Sequence, residues 1–341
     1  MEAKTNSQLP VYSIDYKLLR TYEDSELKDS SKKNPEIHYV TVTPNKKYVV
    51  CGYKSGHVVI FDYKTGEKIK SFHAHQEKVL HIEFDESNNL MFSCGADGKI
   101  IIIDINNFSL YGEITHPVLS RHKELIEIRF VLLGKNNEHI YFGSQCGCLF
   151  KCDKKSDYKP EIFVSPNDMY PPEPYYLTSG IFSPDKKHIV FGSGYSLKFV
   201  NLQTGKVDKI MGETEHYIND VIYHPQNKNI LATWSQDGTI TYWNNETNKI
   251  LTSLQVGDDR CHVAINKTGE FLATGNFENK VRIWDSNTKH LLSEIENKFS
   301  IDNSGKAHDD VVKSLVFTEK YHLLTGSYDG TAKLWQIVNV K

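Results

Sequence analysis

The sequence predicts an all-β fold built from one repeated unit, and three observations support this prediction. First, short runs of alternating apolar residues, usually ending in a large or apolar residue followed by Asp or Asn, recur seven times. Second, further apolar stretches flank each run, so that a typical unit supplies about four short strands. Third, no long helical period appears. Seven units of four antiparallel strands indicate a seven-bladed β-propeller.

The seven runs define the repeat. They are HVVIFD, KIIIID, CLFKCD, SLKFVN, TITYWN, KVRIWD and TAKLWQ, with Phe61, Ile103, Cys152, Val200, Trp243, Trp284 and Trp335 near their ends. Successive residues of this set are 41 to 51 positions apart, as expected for one unit with variable loops. We therefore expect a single domain over 11–341 and a disordered stretch at 1–10. The expected blades are about 37–72, 75–115, 122–164, 175–211, 216–255, 257–296 and 308–341.

The repeat resembles the WD40 family. SQDGTITYWN and SYDGTAKLWQ are its best units, and FENKVRIWD contains the literal Trp-Asp pair, Trp284-Asp285. The resemblance covers nearly all of the chain from about Val11. It implies that an N-terminal strand, here 16–22, completes the last blade beside the strand that contains Trp335. This pairing would close the ring and remove an exposed sheet edge.

A hydroxyl, an imidazole and a carboxylate recur together along the repeats. The sets are His75, Ser93 and Asp97; His216, Thr233, Asp237 and Trp243; and His308, Thr325, Asp329 and Trp335. Hydrolase triads use the same groups, but a catalytic nucleophile needs one strained position, and the sequence has no G-x-S-x-G elbow. The resemblance implies a structural hydrogen-bond chain within each blade instead. In blade 3, His122 stands for the imidazole and Cys146 replaces the carboxylate.

The cysteines and glycines do not form a cofactor motif. Cys146, Cys148 and Cys152 share one side of a predicted strand, but a zinc site would need a fourth ligand and a sharp bend. The six scattered cysteines suit buried positions in a reducing compartment. Neither a Walker loop nor a dinucleotide fingerprint is present. We therefore expect no metal, no cofactor and no catalysis.

Charge and hydropathy bound the partners. The 40 basic and 43 acidic residues do not require a polyanion as partner. The first ten residues lack the apolar core of a signal peptide, and the longest aliphatic run, Ile100–Ile103, cannot cross a bilayer. We therefore expect a cytoplasmic or nuclear protein, or one present in both compartments, that does not bind membranes.

Two long interblade segments point to one face of the ring. Ser156–Glu173 and Asn297–Lys306 precede the first strands of blades 4 and 7, and alternating strand direction places both on the same face. The first segment contains Tyr170, Tyr175 and Tyr176, which suit an interface or pack as a spacer on their own blade. The resemblance places the residue before each turn Asp at the channel rim. The rim candidates for partner binding are Lys54, Gln236, Phe277 and Tyr328.

The expected function is a non-catalytic scaffold or adaptor within an intracellular multiprotein complex, with the isolated propeller monomeric. An RNA- or RNP-binding subunit is the alternative, since Lys54 and Arg260 could form a basic rim. A ubiquitin-ligase substrate receptor is less favoured, because Asn287 stands where that group has Arg. An enzyme would be favoured by a non-repeated acid or His with a strongly shifted pKa in the channel.

Overall fold

The computed structural model describes residues 14–27, 35–85, 87, 89–117, 126–168, 177–212, 214–257, 262–275, 279–297 and 305–338. Within these ranges, the chain forms seven antiparallel sheets that are the blades of a propeller. First strands contact each other between blades 1 to 5, between blades 6 and 7, and between blades 7 and 1. An apolar cluster joins blade 5 to blade 6, so the ring is closed. The predicted all-β, seven-bladed fold is confirmed. The predicted disordered stretch, 1–10, lies outside the described residues.

The first strand, β1 (Asp15–Glu23), precedes the blades and is followed by a 3-10 turn at Ser25–Leu27. Blade 1 comprises β2 (Ile37–Val42), β3 (Tyr48–Tyr53), β4 (His57–Asp62) and β5 (Lys68–His73). Blade 2 comprises β6 (Val79–Phe84), β7 (Leu90–Gly95), β8 (Lys99–Asp104) and β9 (Ser109–Thr115). Blade 3 comprises β10 (Ile128–Leu133), β11 (His139–Ser144), β12 (Leu149–Asp153) and β13 (Pro160–Val164).

Blade 4 comprises β14 (Leu177–Phe182), β15 (His188–Ser193), β16 (Ser196–Asn201) and β17 (Val207–Met211). Blade 5 comprises β18 (Ile218–Tyr223), β19 (Ile230–Ser235), β20 (Thr239–Asn244) and β21 (Lys249–Gln255). Blade 6 comprises β22 (His262–Ile265), β23 (Phe271–Gly275), β24 (Val281–Asp285), β25 (Leu291–Asn297) and the short β26 (Gly305–Lys306). Blade 7 comprises β27 (Val312–Glu319), β28 (His322–Ser327) and β29 (Thr331–Val338). Further 3-10 turns lie at Lys135–Asn137, Lys154–Ser156 and Pro166–Asp168.

The hydrophobic core lies between neighbouring blades. The two middle strands of a blade are buried on both faces, which explains runs such as KIIIID in β8. One apolar layer joins Phe92 and Ile100 of blade 2 to Phe142 and Phe150 of blade 3. Outer strands such as β5 are mostly exposed and carry more polar residues. Apolar packing between adjacent sheets therefore holds the ring together.

The ring closes through β1, which pairs antiparallel with β29. Leu18 lies opposite Trp335 and Tyr22 opposite Ala332, so the predicted pairing of 16–22 with the last strand is confirmed. The buried Tyr22 hydroxyl also donates a hydrogen bond to the Tyr63 carbonyl of blade 1 at 2.8 Å. This strand thus covers the edge of β29 and ties the last blade to the first.

Tight turns between the second and third strands shape one face of the ring. Gly56 has φ +80°, and a Cβ there would lie 1.9 Å from the His75 carbonyl oxygen, so the turn requires glycine. In blade 4, the hairpin is reduced to Gly194 and Tyr195. The segment expected as an insertion, Ser156–Glu173, contains β13, which completes blade 3.

Candidate functional site

In blade 7, a buried chain of hydrogen bonds joins Trp335 to Asp329. The Trp335 indole N–H donates to Thr325 Oγ1 at 3.0 Å, and the Thr325 hydroxyl lies 2.7 Å from His308 Nε2. The His308 Nδ1–H donates to Asp329 Oδ2 at 2.8 Å. Burial opposes ionisation of Asp329, but His308 and Thr331 hold its pKa well below the usual range. The polar groups of Thr325, His308 and Asp329 are therefore hydrogen-bonded to one another within blade 7.

Blade 2 has a shorter version of this chain. The His75 Nδ1–H donates to Asp97 Oδ1 at 3.0 Å, and His75 Nε2 lies 2.9 Å from Ser93 Oγ. The carboxylate also accepts the Gln76 backbone N–H at 3.0 Å. Because Ile103 occupies the place of the Trp, the chain ends at Ser93.

The chain is interrupted in blade 5. The Trp243 indole donates to Thr233 Oγ1 at 2.8 Å, as in blade 7. However, the His216 side chain is 51% exposed, and its Nε2 lies 3.7 Å from Asp237 Oδ2. The structure therefore differs from the expectation that His216 belongs to a buried chain.

The shortened turn of blade 4 explains the position of His216. The carbonyl of Gly194 accepts the Ile218 N–H, and the carbonyl of Tyr195 accepts the Thr214 N–H. The Thr214 hydroxyl also donates to the His216 carbonyl. The backbone on both sides of His216 is thus held by the turn, while its imidazole faces solvent.

In blade 3, the imidazole position is taken by His116. Its backbone N–H donates to the carbonyl of Gly98, which is the bond that His75 makes to the turn glycine one blade earlier. Its Nε2 lies 3.9 Å from Cys146 Sγ. The sequence interpretation chose His122, which lies outside the described residues. A constant spacing misled it, because 30 residues separate the pair in blade 3 against 22 in blade 2.

The rim candidates lie on the face of the tight turns. The backbone N–H groups of Lys54, Gln236 and Tyr328 donate to the carbonyls that precede the first strands of their own blades, at 2.9, 3.0 and 3.0 Å. This shared bond places the three side chains at the mouth of the channel. The remaining candidates lie outside the described residues: Phe277, Tyr170, Tyr175 and Tyr176.

Two stacked ring pairs stand at this mouth. Tyr328 stacks on His38 of blade 1, with ring centroids 4.9 Å apart and planes at 26°. Tyr195 stacks on Tyr217, which directly precedes β18, with centroids 4.7 Å apart and planes at 25°. Sequence reasoning missed His38, Tyr195 and Tyr217, although Tyr195 lies in the shortened turn of blade 4.

Oppositely charged side chains of blades 1 to 3 form ion pairs on the same face. Lys54 Nζ lies 2.7 Å from Glu36, while Lys78 and Arg129 both lie 3.0 Å from Glu127. Burial, together with the positive charge of nearby lysines, lowers the pKa of His38 to about 3. The mouth is therefore a polar surface in which acidic residues neutralise part of the positive charge.

Two carboxylates on the innermost strands have raised pKa values. Burial raises the pKa of Glu83 in β6 to about 7 and that of Asp220 in β18 to about 6. Asp220 accepts a hydrogen bond from the Ser179 hydroxyl of β14, which also accepts the Val221 N–H. Their acidic letters inside otherwise apolar strands, VLHIEF and INDVIY, were the sequence signal for them.

The described residues contain no group of three or more His, Cys, Asp or Glu side chains placed to hold a metal ion. Cys152 lies within β12, buried in the apolar layer between blades 2 and 3. Cys146 and Cys148 flank the turn glycine of blade 3. Among the described residues, no helix is both long and apolar enough to cross a membrane.

Comparison with known proteins relates the repeats to a family. The WD40 family, described as WD domain, G-beta repeat, matches residues 66–104, 206–244, 250–285 and 301–336. These segments contain the inner three strands of blades 2, 5, 6 and 7. Blades 2 and 7 have the hydroxyl–imidazole–carboxylate chain. In blades 5 and 6, a Trp indole N–H donates to a Thr hydroxyl: Trp243 to Thr233 and Trp284 to Thr274.

Relatives match over shorter segments. WD repeat-containing protein 55 homologs from Drosophila erecta and Drosophila melanogaster are 31% and 30% identical over 125 residues, which is 36% of this chain. A coronin-like protein from Saccharomyces cerevisiae is 31% identical over 103 residues, which is 30% of this chain. The alignments span 23% of the Drosophila proteins and 15% of the yeast protein.

Proposed function

We propose that this chain, which belongs to the WD40-repeat β-propeller family, is a non-catalytic scaffold that binds partner peptides at the channel mouth. WD repeat proteins generally act as interaction scaffolds. The proposed binding surface consists of Lys54, Gln236 and Tyr328 with the ring pairs beside them. Phe277, Tyr170, Tyr175 and Tyr176, which lie outside the described residues, are proposed contributors to the same binding function.

The observation that carries the proposal is the pair of ring stacks at one mouth. Tyr328 and Tyr217 offer flat apolar surfaces with polar edges, a combination enriched at protein interfaces. Each ring is already held by a neighbour, which reduces the side-chain entropy lost on binding. Gln236, bonded through its N–H to the Tyr217 carbonyl, adds amide donors and an acceptor for a peptide backbone.

The charge pattern favours a peptide over RNA. Glu36 and Glu127 lie within 3.0 Å of the cations Lys54, Lys78 and Arg129. An RNA backbone would meet these carboxylates together with the cations, whereas a peptide can offer both signs of charge. RNA binding therefore remains the second candidate, supported by the cations alone.

The bonding of the polar sets supports a non-catalytic role, which is also typical of WD40 propellers. Thr325 and His308 lie in a fully buried chain, so neither is presented to a substrate. Glu83 and Asp220 are non-repeated acids with raised pKa values, the feature that would favour an enzyme. However, Asp220 bonds the Ser179 hydroxyl of the adjacent inner strand, and Glu83 accepts the Phe84 backbone N–H.

Partners and compartment follow from the same proposal. We propose that the chain is a subunit of a multiprotein complex in the cytoplasm, the nucleus or both. The near balance of 40 basic and 43 acidic residues is compatible with protein partners in either place.

The test compares two triple variants in a quantitative affinity purification from native cells. The rim variant carries Lys54→Ala, Gln236→Ala and Tyr328→Ala. The control variant carries Lys64→Ala, Tyr111→Ala and Asn287→Ala, exposed residues away from the channel mouth. We expect wild type and control to retain a stoichiometric set of partners. The amount of partner that co-purifies with the rim variant should fall at least about tenfold.

Equal melting temperatures of the three proteins would exclude unfolding as the cause. Retention of all partners by the rim variant would overturn the proposed surface. Loss of the partners from wild type after nuclease treatment would favour the RNA-binding alternative.

A further inference from the structure

The turn between β11 and β12 presents two thiols. Its sequence is Cys146-Gly147-Cys148, and Gly147 has φ +79°. Cys146 is partly exposed, and Cys148 is 8% exposed. The turn lies on the face of the channel mouth, because the N–H of the preceding Gln145 donates to the Glu127 carbonyl at 2.9 Å. Cys146 is therefore more exposed to solvent than Cys148.

Three groups converge on the Cys146 sulfur. His116 Nε2 lies 3.9 Å from it, Ser144 Oγ lies 2.9 Å from it, and Cys148 stands on the other side of the turn glycine. Hydrogen bonds from donors of this kind stabilise a thiolate. The neighbouring Cys148 thiol, followed by His116 and Ser144, lowers the pKa of Cys146, and the Cys146 sulfur raises the pKa of Cys148. The titratable groups that face Cys146 in the described residues are these two neighbours, His116 and Cys148.

The position of Cys146 in the blade explains this environment. It precedes the turn glycine just as Asp97 does in blade 2, where the carboxylate accepts the His75 Nδ1–H. The equivalent positions in blade 3 place the His116 imidazole near the Cys146 sulfur. A site that stabilises a carboxylate anion in one blade can thus stabilise a thiolate in another.

We propose that Cys146 and Cys148 form a site of reversible thiol–disulfide exchange with small disulfides of the glutathione class. The Cys146 thiolate attacks one sulfur of the small disulfide, a mixed disulfide forms, and the first small thiolate leaves with the proton that Cys146 lost. The Cys148 thiol then attacks the Cys146 sulfur and releases the second small thiol, which takes the Cys148 proton. The dithiol loses two electrons, and the small disulfide gains them.

Three other cysteines provide an internal comparison. Cys51, Cys94 and Cys152 are at most 1% exposed, and burial raises their pKa values, that of Cys152 to about 12. Thiols that are both buried and protonated react slowly. The site therefore predicts selective modification of Cys146 in the folded protein.

The first test measures alkylation by iodoacetamide between pH 6 and 8, with each cysteine quantified by mass spectrometry of its peptide. An ordinary thiol with a pKa near 8.5 gains on the order of 100-fold in rate over this range. We expect Cys146 to gain less than about threefold and to react at least about tenfold faster than the three buried thiols at pH 6. A steep pH dependence at Cys146 would overturn the proposal.

The second test treats the full chain with glutathione disulfide. We expect a Cys146–Cys148 disulfide in the wild type and a persistent mixed disulfide on Cys146 in Cys148→Ser, because no resolving thiol remains. His116→Gln should make the pH dependence of Cys146 alkylation steeper than in the wild type, because one of the groups that lower the Cys146 pKa is lost. Cys152→Ser, on the adjoining strand, is the matched control and should leave both products unchanged. Glutathione on other cysteines, with Cys146 unmodified in natively folded protein, would contradict the proposal.

Discussion

Blades 7 and 3 share one arrangement but hold their histidines by different chemistry. In blade 7, His308 lies between the Thr325 hydroxyl and the Asp329 carboxylate, both buried. In blade 3, His116 packs edge-on against Phe150, with ring centroids 4.8 Å apart, and approaches the partly exposed Cys146. One blade uses the frame to join its strands by polar bonds, and the other uses it to place an imidazole beside a thiol.

The comparison explains which blades match the WD40 family. Blade 7 keeps the hydroxyl, imidazole and carboxylate and lies within the matched segment 301–336. Blade 3 falls between the matched segments, and its stability comes from apolar contacts such as the stacked Phe142 and Phe150, 4.8 Å apart. Loss of the polar chain in one blade thus leaves the ring intact, because packing between blades replaces it.

The largest expected effect concerns the outer strand that completes blade 7. Tyr22→Ala in β1 should lower the free energy of unfolding by about 4 kcal/mol, since it removes a fully buried ring and a hydrogen bond to Tyr63. The corresponding outer strand of blade 3 provides the control. Ile162→Ala, at a side chain 55% exposed, should cost less than about 1 kcal/mol. Urea unfolding followed by circular dichroism measures both variants. Equal losses in the free energy of unfolding would show that the outer strands of blades 7 and 3 contribute equally to stability.

A second, smaller effect separates the two histidine frames. Asp329→Ala should cost about 3 kcal/mol, because it leaves the His308 Nδ1–H and the Thr331 hydroxyl without their acceptor inside the blade. Cys146→Ala at the matching position of blade 3 should cost about 1 kcal/mol or less, since the site is partly exposed. Denaturant midpoints of the two variants test this, and a loss at Cys146 as large as at Asp329 would show that blade 3 also depends on its polar frame.

The smallest effect is the pH range in which each frame contributes stability. The pKa of Asp329 is lower in the folded than in the unfolded chain, so its contribution is present above about pH 4 and is lost as the pH falls further. The lowered pKa of Cys146 acts the same way at higher pH, so its contribution should grow by on the order of 1 kcal/mol from pH 6 to 8. The free energy of unfolding should be measured from pH 3 to 8 for each variant. Cys146→Ser should reduce its dependence on pH between 6 and 8, and Asp329→Asn should reduce its dependence below about pH 4. If the free energy of unfolding of Cys146→Ser still rises between pH 6 and 8 as in the wild type, groups other than Cys146 cause the rise.

Much of the fold was predictable because the same residue pattern occurs in several repeats. The alternation of apolar residues indicated four strands per unit, and the resemblance to the WD40 family implied that the strand at 16–22 closes the ring. The constant spacing also suggested the partners of Thr325 and Asp329 in blade 7. The same assumption misplaced the imidazole of blade 3, since a longer connection between β9 and β10 shifts it to His116.

The sequence by itself determined the number of blades and their strand order, because these depend on local patterns of apolar residues that recur along the chain. The closing strand followed from the resemblance to the WD40 family. Only the tertiary structure decided which side chains meet: His38 with Tyr328 and Ser179 with Asp220 across blades, and His116 with Cys146 within blade 3. Such contacts join residues up to hundreds of positions apart, and they depend on loop lengths and on burial between sheets. The exposure of His216 and the environment of Cys146 arise from that packing.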